Sequence, residues 1–503
     1  MKKIICICLA LLFVLSAFAA CGTDTPPAPV STGDPADVSG GDITDADADT
    51  TAAETEPPEP ERAHRVPVAE LDFGAEEFHV VAFDWQAYSD LFFAEEDSSD
   101  PMESAIYMRK CVVEDALNVT LTHTMYKSYT DMYPAVDQNV GTGDDGMQLI
   151  LMHCISGVAS YATSGVLYPF EKLPHIDLSA DWWNQEQMDA LRLGKSYHYG
   201  VSDYMIPTPN TLLFNKDMIE DLSLENPYTL VDENRWTLDK MEEMARAASR
   251  DVNNDGVWDE GDIYGVGGNG YLNFWSACGQ FLAHRGDDDR IVFDMSTEKA
   301  FDVIETIAVW SREHVSHVPS TGQESDLLKM QSGQVLFAPG SLGPSKKLLE
   351  SDVNYGILPY PKYNAEQENY RCLDWGGFMA VPTTIRDPEM VGATLELLAF
   401  ESAETTIPVF YDKVLSGQLA QDPDASRMID IILENICYDP AMNYLGLSGS
   451  VFKIFYAPWF EAHMERRSNF ASLYAEHAEP AQKQIDDLYA ALELTESLND
   501  MMG

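Results

Sequence analysis

The stretch Asp251–Asp262 carries oxygen ligands at the spacing a calcium ion requires. It reads DVNNDGVWDEGD, matching D-x-[DN]-x-[DN]-G with a further acid at the twelfth place. Calcium is a hard cation that takes about 6–8 oxygens at about 2.3–2.6 Å. Asp251, Asn253 and Asp255 supply the alternating side chains, Gly256 the sharp turn, and Val257 its carbonyl. Asp259 holds the direct or water-mediated place, and Asp262 replaces the usual glutamate with a shorter arm. The run Asp262-Ile-Tyr-Gly-Val-Gly-Gly then reads as strand and turn rather than a second helix, so the loop is expected as a structural clip, not one half of a paired sensor.

A second chemistry lies in carboxylates next to aromatic rings: Asp84-Trp85, Asp203-Tyr204 and Asp374-Trp375. A pyranose offers C–H faces that lie on aromatic rings, and hydroxyls that bond to carboxylates. Each ring contact is worth about 0.5–1.5 kcal/mol beyond area burial, and bonds to a charged acceptor are stronger than neutral ones. No G-x-S-x-G, H-E-x-x-H, P-loop or dinucleotide fingerprint occurs.

The elements that must hold these residues follow from patterning. Phe78 to Phe83 is an apolar strand ending at Asp84-Trp85, and ligands of open α/β sheets bind beyond the carboxyl ends of strands. A helix covers the stretch from Asp100 to Val119, with Ile106, Cys111, Val113 and Leu117 inward, and strands follow at Val119–His123 and Met147–Met152. Trp182-Trp183-Asn184 opens a helix whose tryptophans face either core or cleft. Thr211–Phe214 is a strand turning into a short helix at Asn215. Thr237 caps a helix that buries Met241, Met244, Ala245 and Ala248. Later helices start at Ser296 or Thr297, at Ser325, at Asp387-Pro388 and at Ala478, and Gln334–Pro339 is a buried strand.

The 503 residues leave room for two or three domains, and the formal net charge of −52 argues against nucleic acid or an anionic membrane surface as partner. Residues 1–20 read as a secretory signal peptide: Lys2-Lys3, an apolar run, then Ala19-Ala20. Ala-Ala-Cys-Gly resembles a bacterial lipobox, which would put lipid on Cys21, although Phe18 stands where leucine is usual. Residues 21–65 are rich in Pro, Thr, Asp and Glu and read as a disordered acidic tether. Beyond the signal and Cys21 remain Cys111, Cys154, Cys278, Cys372 and Cys437, an odd set without C-x-x-C spacing, expected as free thiols.

The run from Leu212 to Gly268, with its F-N-K-D strand end, W-T-L-D helix start and acidic loop, resembles the sugar-type (family 1) extracellular solute-binding proteins of bacterial ABC importers. "VNYGILPYPKY…DWGGFMAVP" (353–382) is a second match, and the resemblance spans Phe73 to Leu494. It implies an α/β, two-lobed periplasmic-binding-protein-like fold of type II with an interlobe cleft and hinge. The lobes would comprise 66–190 plus 373–438 and 191–372 plus 439–503. It further implies Asp203, Tyr204, Trp275, Ser341, Asp374, Trp375, Gly376, Tyr456 and Trp459 as ligand-facing residues, beside Asp84 and Trp85, which their strand-end position makes candidates. The expected function is capture of a solute, with a mono- or oligosaccharide foremost, and delivery to the membrane subunits of an importer. The protein would act as a lipid-anchored monomer on the outer face of the cytoplasmic membrane, without catalysis. A secreted calcium-binding carbohydrate-active enzyme or a surface adhesion or scaffold module stands as the alternative.

Overall fold

A computed structural model describes residues 71–84, 91–96, 98–153, 157–268, 271–316, 323–342, 353–374, 376–412, 423–445, 453 and 469–502. Two four-stranded sheets organise these residues.

The first sheet has the order β11-β3-β1-β2. β1 (Glu76–Phe83) runs parallel to β2 (Val119–Tyr126) and to β3 (Leu149–His153), and β11 (Gly377–Ala380) lies antiparallel on β3. β3 is buried along its whole length, as a strand covered on both faces must be. The helix Pro101–Leu117 connects β1 to β2; Asp100 caps it through the Met102 and Glu103 amides. It buries Ile106, Val113 and Leu117 as expected, but Arg109 takes the inner place and Cys111 is only partly covered. The helix Pro388–Glu401 packs on it and is buried at nearly every position. Its N-terminus is set by Asp387, whose carboxylate accepts the Met390 amide, with Pro388 at the first turn.

Glu396 of that helix is fully buried and accepts both the Trp182 (3.1 Å) and Trp183 (2.8 Å) indole N–H groups, plus the Asp177 amide. The two tryptophans are thus a core staple. Asn184, next to them, caps the helix Gln185–Leu191 by accepting the Gln187 amide.

The second sheet has the order β5-β8-β4-β9. β4 (Asn210–Asn215) is antiparallel to both β8 (Val335–Ser341) and β9 (Tyr355–Leu358), and β5 (Tyr264–Val266) is parallel to β8. Thr237 caps the helix Leu238–Ala248 through the Lys240 amide, and Met241, Met244, Ala245 and Ala248 are its buried stripe. β5 passes this helix so closely that a Cβ at Gly265 would clash with the Ala245 carbonyl. The hairpin β6 (Ala283–Arg285) and β7 (Ile291–Phe293) precedes a helix, Glu298–Arg312, capped by Thr297 rather than Ser296. The last helix, Phe470–Met502, is longer than the expected Ala478–Leu494 and runs through Pro480.

Two boundaries differ from the sequence-based expectation. Gly200 still pairs with Met379 of β11, and the turn Asp203–Met205 packs on helix 388–401, so the chain leaves the first sheet after Met205 rather than near 191. The helix Pro423–Leu433 packs on β9 of the second sheet, although 373–438 is expected wholly in the first lobe. Cys278, Cys372 and Cys437 are buried free thiols; Cys154 lies outside the described residues.

Candidate functional site

Three stretches run between the two sheets, and they lie side by side. Cys372–Leu373 (β10) pairs in parallel with Ile436–Cys437 (β12). The Asn210 side chain donates to the Leu373 carbonyl at 2.6 Å, and the Leu342 amide donates to Pro209. The Asp374 amide donates to Cys437. Hinges are made of a few loop or element-terminal residues that absorb φ/ψ changes, and these crossing segments are element ends of that kind.

Each stretch carries an acid removed from bulk solvent. Asp374 is buried; its carboxylate accepts the Gly376 amide at 3.0 Å and the Thr208 amide, and burial pushes it up to about 6. Asp439 is buried too, accepting the Ala441, Met442 and Leu282 amides, and is likewise pushed up to about 6 by burial. Asp203 differs. It is half-buried, its carboxyl has no hydrogen-bond or ion-pair partner among the described residues, and burial raises it from 3.8 to about 7. A desolvated carboxyl without a partner costs stability unless something else bonds it.

Tyr411 stands near both Asp203 and Asp374. Burial raises its hydroxyl first, and the two neighbouring carboxylates add to the rise. That hydroxyl too has no hydrogen-bond partner among the described residues, while its ring packs edge-on against Phe410. Tyr438 faces Asp374 and takes a hydrogen bond from Asn184 at 2.8 Å; the buried Gln187 touches the Gly376 backbone, where an added Cβ would meet its amide. The region therefore offers two unsatisfied polar groups beside satisfied, rigidly held acids and phenols. Such a set can bind hydroxyls at defined positions.

Of the expected site residues, Asp203, Asp374 and Gly376 meet here. Ser341 is half-buried at the end of β8, opposite Asn210 in register. Asp84 is exposed at the end of β1, its amide bonded to Tyr126. Two expectations need correction. Tyr204 is 3% exposed and lies beneath the Arg109 guanidinium, 4.6 Å from the ring centre, and against Phe92, so it packs rather than faces a ligand. Trp275 is 1% exposed in the core of the second lobe, edge-on to Phe470; its helix turns it inward. Trp85, Trp375, Tyr456, Trp459 and Cys21 lie outside the described residues. Reading the sequence missed Tyr411, Tyr438, Gln187 and Asp439. Only Asp439 left a signal, the Asp-Pro pair that also opens helix 388–401.

The acidic loop closes on itself. Asp251 accepts the Asn254 (2.7 Å) and Gly256 (2.8 Å) amides, Asn253 the Asp255 amide, and Asp255 the Val257 amide. Asp262, 1% exposed, accepts the Val252 and Asp259 amides and ties the two ends together. Gly256 has a φ of +79°, which only glycine adopts freely. The donors are hard oxygens alternating in sequence, the kind calcium takes. As described they serve the loop's own amides, and among the described residues no three acids, histidines or cysteines are gathered around a metal-sized space.

Comparison with solved structures places this architecture in a class. The fold is that of two-lobed solute-binding proteins of ABC importers. One similar structure is the ABC substrate-binding protein Lmo0181 of Listeria monocytogenes in complex with cycloalternan: 12% identity, TM-score 0.56, covering 82% of this chain and 99% of that one. Another is the GacH receptor of Streptomyces glaucescens, solved unliganded and with acarbose, at 12% identity and TM-score 0.56 over 82% and 99% of the two chains. A third is an ABC transporter solute-binding protein of Thermotoga lettingae bound with α-D-tagatose, at 15% identity and TM-score 0.52 over 82% and 100%. No protein-family model matches the chain, and no curated protein matches it.

Proposed function

We propose that this protein captures a carbohydrate outside the cell and hands it to the membrane subunits of an ABC importer. The observation that carries the reading is the unpartnered Asp203 carboxyl and Tyr411 hydroxyl beside Asp374, at the stretches joining the two sheets. Polar groups left unsatisfied and half-covered are what a polyhydroxylated ligand would complete on lobe closure. The solved structures of like fold, in complex with cycloalternan, acarbose and tagatose, support a sugar as solute. The work done is binding and release rather than bond-making. Lipid on Cys21 would hold a monomer at the outer face of the cytoplasmic membrane, with residues 21–65 as tether.

Calcium belongs to the same proposal as a structural ion. Asp251, Asn253, Asp255, the Val257 carbonyl, Asp259 and Asp262 would supply its oxygens, and the ion would tie the end of helix 238–248 to β5.

The test is thermal unfolding of the purified protein against a panel of mono- and oligosaccharides, each with calcium and with chelator. A ligand at 100 times its dissociation constant adds about 2.7 kcal/mol. A rise in Tm with one sugar class, lost in Asp203→Ala, is expected. A folded protein that responds to no sugar would refute the carbohydrate reading, and indifference to chelator would refute the calcium site.

A further inference from the structure

Away from the crossing stretches, a pocket of about 30 Å³ opens between helix 101–117, β1 and β2, and the segment Leu91–Glu95. Most of its walls are apolar or aromatic, but Arg109, Lys110, His123, Thr122 and the carboxylate-bearing Glu95 also line it. Arg109 is 2% exposed. Its guanidinium donates to Ser402 Oγ (3.0 Å), Thr406 Oγ1 (3.5 Å) and the Phe92 carbonyl (3.0 Å), and lies over the Tyr204 ring. All of those partners are neutral, and among the described residues no carboxylate pairs with it. Burial lowers it to about 10, still far above neutral pH. Lys110 and His123 share one carboxylate, Glu95, at 3.4 and 3.5 Å. The Phe93 ring stacks on His123 at 4.0 Å, and burial holds this imidazole below its usual range, hence neutral. Among the described residues Arg109 and Lys110 therefore face a single acid, which lies against Lys110, and the buried Arg109 has no carboxylate of its own. A buried cation without a counter-charge is costly. In a chain of net charge −52 it is also against the general trend.

We propose that this pocket binds one small monovalent anion, of halide or formate size, held by Arg109 with Lys110 at its rim. The charge left over sets the valence. The volume sets the size, since one water needs about 10–15 Å³ of such space. The ligand completes the support under Tyr204 and so braces the turn that carries Asp203. The site is separate from the carbohydrate reading and does not depend on it.

The test is unfolding of the whole protein at fixed ionic strength, with sodium bromide or formate exchanged against bulky sodium isethionate, and a bromide soak read by anomalous scattering. The expected result is a saturable rise in Tm with bromide and formate over isethionate, and a bromide peak in the pocket beside Arg109. Lys110→Met, a partly exposed position, should weaken bromide roughly threefold, the loss of one exposed charge. Arg109→Gln should remove the specific response if it folds; Lys110→Met and the soak keep the question decidable if it does not. Equal Tm in all salts overturns the site. So does a peak in the crystal with no saturable effect in solution, which would be an adventitious ion only.

Discussion

Replacing Asp203 by asparagine should make the protein more stable at alkaline pH and worse at binding its solute. The carboxyl is raised from 3.8 to about 7 by burial. Its folded-state pKa lies above the unfolded one, so the folded state holds the extra proton. The stability change therefore runs downward with rising pH: the cost is absent below about 4, grows through the interval, and is complete above about 7. At full effect this shift corresponds to about 4 kcal/mol; partial exposure to solvent reduces it to about 2 kcal/mol. The side-chain amide of the Asp203→Asn variant does not titrate. Urea unfolding of both proteins from pH 4 to 9 is the assay. The difference should be near zero at pH 4 and reach about 2 kcal/mol in favour of Asp203→Asn at pH 8. Asp374 and Asp439 are also raised, to about 6, so the wild type and the variant share a background slope that cancels in the difference. Parallel profiles would refute the reasoning, because they would mean that Asp203 ionises without penalty in the folded protein. A gain in stability with unchanged sugar affinity would refute the assignment of Asp203 to the site while leaving its burial intact.

Further outcomes are expected. Tyr411→Phe should weaken sugar binding about fivefold at nearly unchanged stability, measured by calorimetry, since only an unpartnered hydroxyl is lost. Trp275→Ala should do the reverse, costing about 3–5 kcal/mol in urea unfolding and leaving affinity alone in the folded fraction. Glu396→Ala should cost roughly 3 kcal/mol, because two indole N–H groups and the Asp177 amide lose their acceptor in the core. Thr237→Ala should cost about 1 kcal/mol, the usual value of a helix N-cap, read in the same assay.

Local elements were legible in the sequence because their causes are local. Thr237, Asn184 and Asp387 cap where capping chemistry places them. The Met241–Ala248 stripe is buried because its 3–4 spacing leaves one apolar face. Gly256 turns the acidic loop as its position in the motif demands. The α/β class and the crossing acids Asp203 and Asp374 also came from the sequence, through strand ends and the resemblance.

Only the tertiary structure decided which of these residues meet. An aromatic ring is equally at home in a core or on a sugar, so nothing in the sequence sent Trp275 and Tyr204 inward. Tyr411 joins Asp203 and Asp374 across more than two hundred residues of chain in one case and about forty in the other, by way of a packed helix that has no local signature for it. Arg109 lies on the inner side of helix 101–117. Its burial against Ser402, Thr406 and Tyr204 depends on how helix 388–401 lies on helix 101–117. Spacing along the chain settles what a residue can do with its near neighbours; packing between distant segments settles which groups are left without a partner, and that is where binding chemistry resides.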